Sequence, residues 1–290
     1  MTRRIEITHP DKMLYPSIKW TKRDVADYYE RIADWILPHL KGRPVVVQRY
    51  PDGVDEEGFY QQEVPGHYPD WIETIEVVRR EKGKQNMLEL HTKSALRYVV
   101  NQDGICFHTW QSNKEHINKP ELLTYDLDPP GDDFSEVVKA VRILKGQLED
   151  LGGAPFVMTT GSSGLHVVMP IKPELSFDEV REFAKTIAQD AVEKHPDVVT
   201  TRVRKDQREG KVFLDYLRNS YGQTTIAPYS LRSTKNGTVA TPLRWEDLDD
   251  GEITSQAFNG KNLFKRIAKV GDPWKGMHRR RISIGDRRGK

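Results

Sequence analysis

Apolar and polar residues alternate along this chain with two different periods. At helical spacing, Val25, Tyr28, Tyr29, Ile32 and Ile36 repeat until Pro38, and Thr21 with Asp24 three residues on supplies a capping box, so a packed helix is predicted there. Val137, Val138, Val141, Ile143 and Leu144 mark a second helix, with Asp133 and Glu136 as its capping box and Gly152-Gly153 as its stop. Ser176 and Glu179 cap a third, whose apolar face is Val180, Phe183, Ala184, Ile187 and Ala191. A further helix is expected over 254–264, weakened by Gly260. Between these lie short apolar runs. Residues 44–49 (PVVVQR), 105–110 (ICFHTW), 155–160 and 165–169 read as strands, the last two joined by the Gly161 to Gly164 turn into a hairpin. Residues 72–78, 87–90 and 95–100 are further short apolar segments, and the charged stretch 79–84 reads as an exposed hairpin or loop. Strand, helix, strand passages of this kind predict an α+β fold, a sheet covered by helices on one side.

The strand pattern is most informative at residues 122–130 (LLTYDLDPP). Leu123, Tyr125 and Leu127 fall on one face, and Thr124, Asp126 and Asp128 on the other. Two carboxylates aimed into one space are costly unless a cation sits with them or the face is solvated at a sheet edge. Asp128-Pro129-Pro130 ends the strand, so the pair lies at its C-terminal edge. A second strand is expected within 204–219 (RKDQREGKVFLDYLRN), where Asp215 shares a face with Phe213 and Leu217 and interrupts an otherwise buried position.

Composition narrows the class. A chain of 290 residues with 37% hydrophobic content can bury a large core, as one domain or two intimate lobes. No run approaches 18 apolar residues and the N-terminus lacks an apolar stretch, so neither a membrane span nor a signal peptide is expected. The single Cys106 excludes an internal disulfide and a multi-cysteine zinc site, which fits a reducing cytosol. The net charge of +2 hides an asymmetry, because residues 261–290 hold eleven Lys or Arg against two Asp, leaving the first 260 at −7. A basic end with Arg279-Arg280-Arg281 and Arg287-Arg288 would attract a polyanion or act as a solvated tail.

Asp126, Asp128 and Asp215 offer three hard oxygen ligands, suited to Mg²⁺ or Mn²⁺. The turn Thr160-Gly161-Ser162-Ser163-Gly164, with His166 after it, presents hydroxyls and N–H groups that suit a phosphate, although Gly-rich turns are common. Arg204, Lys205, Arg208, Lys211 and Arg232 surround the third aspartate in sequence. Lys12 and Lys22 flank the first helix entrance and either hold a phosphate at the helix N-terminus or are solvated. His108 suits a ligand, a phosphate partner or a core position, and Phe59-Tyr60 either pack inward or stack on a base.

With these residues in view, the sequence resembles the polymerase domain of bacterial ligase D, in the archaeo-eukaryotic primase superfamily. The likeness runs from His9-Pro10-Asp11-Lys12 and Leu14-Tyr15-Pro16 through Tyr50-Pro51-Asp52-Gly53 and Phe107-His108-Thr109-Trp110 to Thr241-Pro242-Leu243-Arg244-Trp245, about 250 residues. Three motifs correspond to Asp126-Leu127-Asp128, to Ser162 with Gly164-Leu165-His166, and to Asp215-Tyr216-Leu217. The resemblance implies a primase-polymerase fold of mostly antiparallel sheets with flanking helices and a bilobed core. It further implies a catalytic domain over 1–250, with an N-terminal part to about 115, and a basic extension over 251–290. In activity, it implies a DNA-dependent nucleotidyltransferase adding NTPs or dNTPs at gaps or breaks.

On that likeness the three aspartates hold two Mn²⁺ or Mg²⁺ ions, and Ser162, His166, His108, Lys205, Arg208 and Arg232 contact the nucleotide. Lys12, Lys22 and His9, the last standing where an asparagine is usual, read a DNA 5′-phosphate, and Phe59 and Tyr60 meet the template. Ser163 stands for a usual lysine, Arg218 for a common glutamine, and Thr234 in the region of a second arginine. A separate ATP-dependent DNA ligase, a Ku-like end-binding protein and a cytoplasmic, nucleoid-associated setting are implied by analogy. From the residues alone, a metal-dependent nuclease and a non-catalytic DNA-end bridging protein remain rivals.

Overall fold

The computed structural model describes residues 3–79, 83–131, 133–249 and 251–285, so the Arg287-Arg288 pair and residues 80–82 of the charged 79–84 stretch lie outside the described residues. The chain forms two compact units, each assembled from three separate segments.

The first unit comprises residues 1–110, 224–240 and 258–269. Strands β1 (Met13–Tyr15) and β2 (Trp20–Thr21) make a small antiparallel ladder ahead of helix α1 (Lys22–Leu40). The Thr21–Asp24 capping box forms as predicted, and Val25, Tyr28, Tyr29, Ile32 and Ile36 are buried. Pro38 does not end the helix. It removes one N–H in the last turn, where buried His39 and Leu40 still hold the chain.

Strands β3 (Val45–Arg49), β4 (Phe59–Gln61), β5 (Thr74–Arg79), β6 (Gly83–Leu88) and β7 (Gly104–Trp110) belong to an antiparallel sheet with the late strand β13 (Thr224–Ile226). Its order is β13-β7-β3-β6-β5, with β4 on β3. Apolar residues 95–100 lie in helix α2 (Lys93–Asn101), capped by Thr92 and packed on α1. The two faces of β7 are both buried, so its alternation does not separate an inner from an outer side.

The second unit comprises 111–223, 241–257 and 270–290. Its strands are β8 (Leu122–Asp128), β9 (Phe156–Thr159), β10 (Leu165–Pro170), β11 (Val199–Thr200), β12 (Val212–Asp215) and β14 (Thr241–Leu243), in the order β11-β12-β8-β10-β9-β14. Only β11 and β12 pair in parallel among these. Helices α3 (Phe134–Asp150) and α4 (Phe177–Lys194) pack on each other and on this sheet. Ser176 and Glu179 form their capping box, whereas Asp133 caps α3 alone by accepting from the Ser135 N–H, and Glu136 pairs with Lys139 instead. This is a mixed α+β fold of largely antiparallel sheets with flanking helices.

The expected 254–264 helix starts later, as α5 (Leu263–Val270). The Asn259 side chain accepts from the Lys261 and Asn262 N–H groups and so sets the start, and Gly260 lies so close to the Trp20 indole that a side chain there would overlap it. Among the described residues, no helix is long and apolar enough to cross a membrane.

Candidate active site

Register builds the site in the second unit. Asp126 on β8 stands directly opposite Asp215 on β12 and, on its other side, opposite His166 on β10. Residues directly opposite in antiparallel pairs share a face, so Asp215, Asp126 and His166 form one row across three strands. The imidazole Nε2 lies 3.3 Å from Asp126 Oδ1. Asp128, two residues along the same strand face, is opposite Phe213.

β12 ends at Asp215, and the chain turns at once into a 3₁₀ turn, Leu217–Asn219. Leu217 therefore leaves the strand and is exposed, rather than sharing a strand face with Asp215 as the alternation suggested. Asp215 Oδ1 accepts the Leu217 N–H at 2.7 Å. Fully buried Asn219 then replaces the missing strand, donating to the Thr124 carbonyl at 2.7 Å and accepting from the Thr124 N–H at 2.9 Å. Held on that turn, Arg218 places Nε 3.3 Å from Asp215 Oδ2 and Nη2 3.3 Å from Asp126 Oδ2.

The hairpin turn before β10 is held by the Thr160 hydroxyl, which accepts from the Ser162 and Gly164 N–H groups and donates to the Gly164 carbonyl. The Ser162 carbonyl accepts from Ser255 Oγ at 2.9 Å and Gln256 Nε2 at 2.8 Å. Ser163 Oγ donates to Asp128 Oδ1 at 3.0 Å. The position where the resemblance leads one to look for a lysine thus holds the Asp128 carboxylate in place. Arg208 lies over the Phe213 ring at 4.0 Å and donates to the Val203 carbonyl, while Lys205 sits on the surface loop before it.

Burial pushes the Asp128 carboxyl above its ordinary range, and the neighbouring Asp126 charge adds to this against the Ser163 hydrogen bond, Arg208 and Arg218. Burial also raises Asp215, opposed by Arg218 and the Leu217 N–H. The site is short of positive charge, and its donors are hard oxygens on one face, which fits a divalent cation of the Mg²⁺ or Mn²⁺ kind. A carboxyl raised in the folded state binds protons there more readily than in the unfolded chain, so its contribution to stability falls as pH rises through the raised value. Asp128→Asn is expected to raise the melting temperature of the metal-free protein at pH 7, by about 1–3 °C. The gain should shrink as pH falls through the raised value and vanish below the ordinary carboxylate range, and thermal denaturation followed over pH 3 to 8 checks both. A variant that melts lower at pH 7 contradicts a strained carboxylate.

The remaining sequence candidates lie in the first unit. Lys12 Nζ and Lys22 Nζ converge on Asp103, at 3.1 and 3.3 Å. Lys22 is almost wholly buried, and burial lowers its pKa while Asp103 opposes the shift. The helix N-terminus itself is taken: the Lys22 and Arg23 N–H groups donate to the Lys12 and Pro10 carbonyls. His9, with φ 50°, closes the turn by accepting the Lys12 N–H. Phe59 and Tyr60 are 47% and 56% exposed and so are not core residues. Arg49 lies 5.3 Å over the Phe59 ring, and Tyr60 meets the His108 ring edge-on at 5.7 Å. Arg232 is part-buried in a turn where its carbonyl accepts from Tyr15 Oη and its N–H donates to Thr238. Sequence reasoning missed Asp103 as the partner of both lysines, Ser163 as the partner of Asp128, and the bridging contact of Arg218.

Among the described residues, the group of three whose ligand atoms lie within 4.8 Å of one another, close enough to hold one metal ion, is Glu73, Glu89 and His91, not foreseen from sequence. Glu89 is buried and accepts the Gly42 N–H, and His91 Nε2 is 3.5 Å from Glu73.

A family profile described as "LigD, primase-polymerase domain" matches residues 21–274. The multifunctional non-homologous end joining protein LigD of Mycolicibacterium smegmatis is 33% identical over 272 residues, 93% of this chain and 35% of that protein. The bifunctional LigD of Bacillus subtilis is 33% identical over 279 residues, 95% of this chain and 44% of that protein. The chain therefore spans roughly a third to under half the length of these relatives. Among solved structures, the polymerase domain from Mycobacterium tuberculosis ligase D in complex with DNA superposes with a TM-score of 0.88 at 31% identity, covering 95% of this chain and 98% of that one.

Proposed function

The chain belongs to the LigD primase-polymerase domain family, and from that premise we propose that it is a DNA-dependent nucleotidyltransferase that adds NTPs or dNTPs to a primer 3′ end at gaps or broken ends during end joining. The observation that carries the reading is the row of Asp215, Asp126 and His166 across three paired strands, with Asp128 one strand repeat further on.

Asp126, Asp128 and Asp215 would hold two divalent ions, Mn²⁺ or Mg²⁺. Bound there, such ions lower the pKa of the primer hydroxyl and neutralise the leaving pyrophosphate. The protein's own groups handle the rest of the charge. His166 at the edge of the carboxylate row, Ser162 on the hairpin turn, and Lys205 and Arg208 on the loop before β12 are assigned to the triphosphate, where fixed cations and N–H groups need no reorganisation as charge develops. His108 and Arg232 are assigned to the nucleotide on the family resemblance alone. Ser163, by holding Asp128, keeps the end of the strand from splaying.

Lys12 and Lys22, with His9 shaping the turn, would receive a DNA 5′-phosphate, and exposed Phe59 and Tyr60 would stack on the template strand. Asp103 keeps the two ammonium groups together before the phosphate arrives. The working protein would lie over residues 1–250, with 251–290 as a basic extension toward DNA. It would act in the cytoplasm at the nucleoid, with a separate ATP-dependent ligase and a Ku-like end-binding protein.

Extension of a gapped duplex, with and without the 5′-phosphate, tests the reading with each NTP and dNTP in Mn²⁺ and Mg²⁺. Metal-dependent addition of one or a few nucleotides is expected, faster with the 5′-phosphate. In a Lys12→Ala, Lys22→Ala variant that preference should fall by about tenfold or more, two charge-assisted contacts being lost. Shortening of the labelled strand without added nucleotide would favour a nuclease, and end binding indifferent to metal and nucleotide would favour a bridging protein.

A further inference from the structure

Each oxygen of Asp215 has a partner within the protein: Oδ1 takes the Leu217 N–H, and Oδ2 faces Arg218 Nε at 3.3 Å. On Asp126, Oδ1 faces His166 and Oδ2 faces Arg218 Nη2, again at 3.3 Å. One oxygen of each carboxylate therefore ends on the same guanidinium. A divalent ion held by those carboxylates would compete with Arg218 for the same lone pairs.

The guanidinium is not there by chance of a floppy side chain. Its backbone is fixed by Asn219, whose amide is clamped to both backbone groups of Thr124 on β8, two residues from Asp126. The turn is thus tied to the strand that carries the metal-face pair. The side chain as a whole is nevertheless 37% exposed, so the turn does not enclose it. A fixed backbone and a partly exposed side chain describe a group that can leave without unfolding the turn.

We propose that Arg218 is a resident counter-cation of the carboxylate site: it holds Asp126 and Asp215 together while no divalent ion is bound, and an ion held by these carboxylates would have to displace it, so Arg218 sets the metal concentration at which the site fills. The proposal rests on the assignment of the three aspartates as metal ligands. Its physical basis is competition between cations for one pair of carboxylates. With Arg218 in place, three carboxylates present a net charge nearer −2 than −3 to an incoming ion, and two ion-pair contacts must be given up. A neutral side chain at the same position removes both effects. Arg218 is in this sense a positioning residue whose departure accompanies metal loading.

Titration of free Mn²⁺ by electron paramagnetic resonance, on wild type, Arg218→Gln, Arg218→Lys and Asp126→Asn, tests this directly and without reference to turnover. Arg218→Gln should bind Mn²⁺ about tenfold or more tightly, whereas Arg218→Lys, which keeps the cation, should stay close to wild type. Without metal, Arg218→Gln should melt below wild type, and Mn²⁺ should raise its melting temperature by more than it raises that of wild type. The same melts report whether each variant is folded. If Arg218→Gln binds no more tightly than wild type while Asp126→Asn loses binding, the metal centre stands and the counter-cation does not. If Asp126→Asn binds as wild type does, the aspartates are not the ligands and the proposal goes with them.

Discussion

Asp126→Asn is expected to reduce nucleotide addition by about a thousandfold or more, while binding of a gapped duplex stays within a few fold of wild type. Asp126 is the middle member of the row, facing Asp215 on one side and His166 on the other, and it shares Arg218 with Asp215. Removing its charge takes away the group through which the other members are connected. Asparagine keeps the shape and one acceptor, so the sheet should hold and the loss should be chemical. Primer extension in Mn²⁺, set beside fluorescence anisotropy of labelled DNA, separates the two. Extension within tenfold of wild type would remove Asp126 from the reaction.

Gly164→Ala should be nearly as damaging by a different route. A methyl group at Gly164 would overlap the Leu127 carbonyl oxygen and crowd the backbone of Asp128. Those are backbone atoms of the strand that carries both aspartates, and they cannot rotate aside as a side chain can. Either the hairpin turn lifts from β8 or β8 bends, and each displaces the Ser163 contact on Asp128. Overpacking of this kind costs roughly 3 kcal/mol. The expected fall in melting temperature is about 5–10 °C, with loss of extension even at temperatures where the variant is folded. Retained activity with an unchanged melt would show that the turn is looser than its contacts indicate.

Local features of this fold are legible in the sequence, and features that depend on register are not. The Thr21–Asp24 and Ser176–Glu179 boxes form because each needs only residues three apart. Alternation over 122–128 correctly puts Asp126 and Asp128 on one face, and the Gly161 to Gly164 turn correctly joins two paired strands. That Asp215 faces Asp126 follows only from pairing residues almost ninety positions apart, which no local pattern encodes. Asp103 is likewise far in sequence from both lysines it holds. Leu217 is a simpler miss: apolar spacing suggested a continuing strand, but the Asp215 carboxylate captured its N–H and turned the chain. The three-residue spacing of Asp215 and Arg218 was a usable signal for their contact, once a turn rather than a strand is placed there.

The segmented make-up of the two units has a consequence for how the molecule is made. The chain passes from one unit to the other five times, at 110/111, 223/224, 240/241, 257/258 and 269/270. As it leaves the ribosome, β7 waits for β13 and β9 waits for β14, so the second sheet lacks a strand until residue 243 has emerged, and even the first is incomplete until residue 226. A nascent chain stalled before that point exposes unpaired strand edges from both sheets together, and is a candidate for chaperone capture rather than for stepwise folding of one unit after the other.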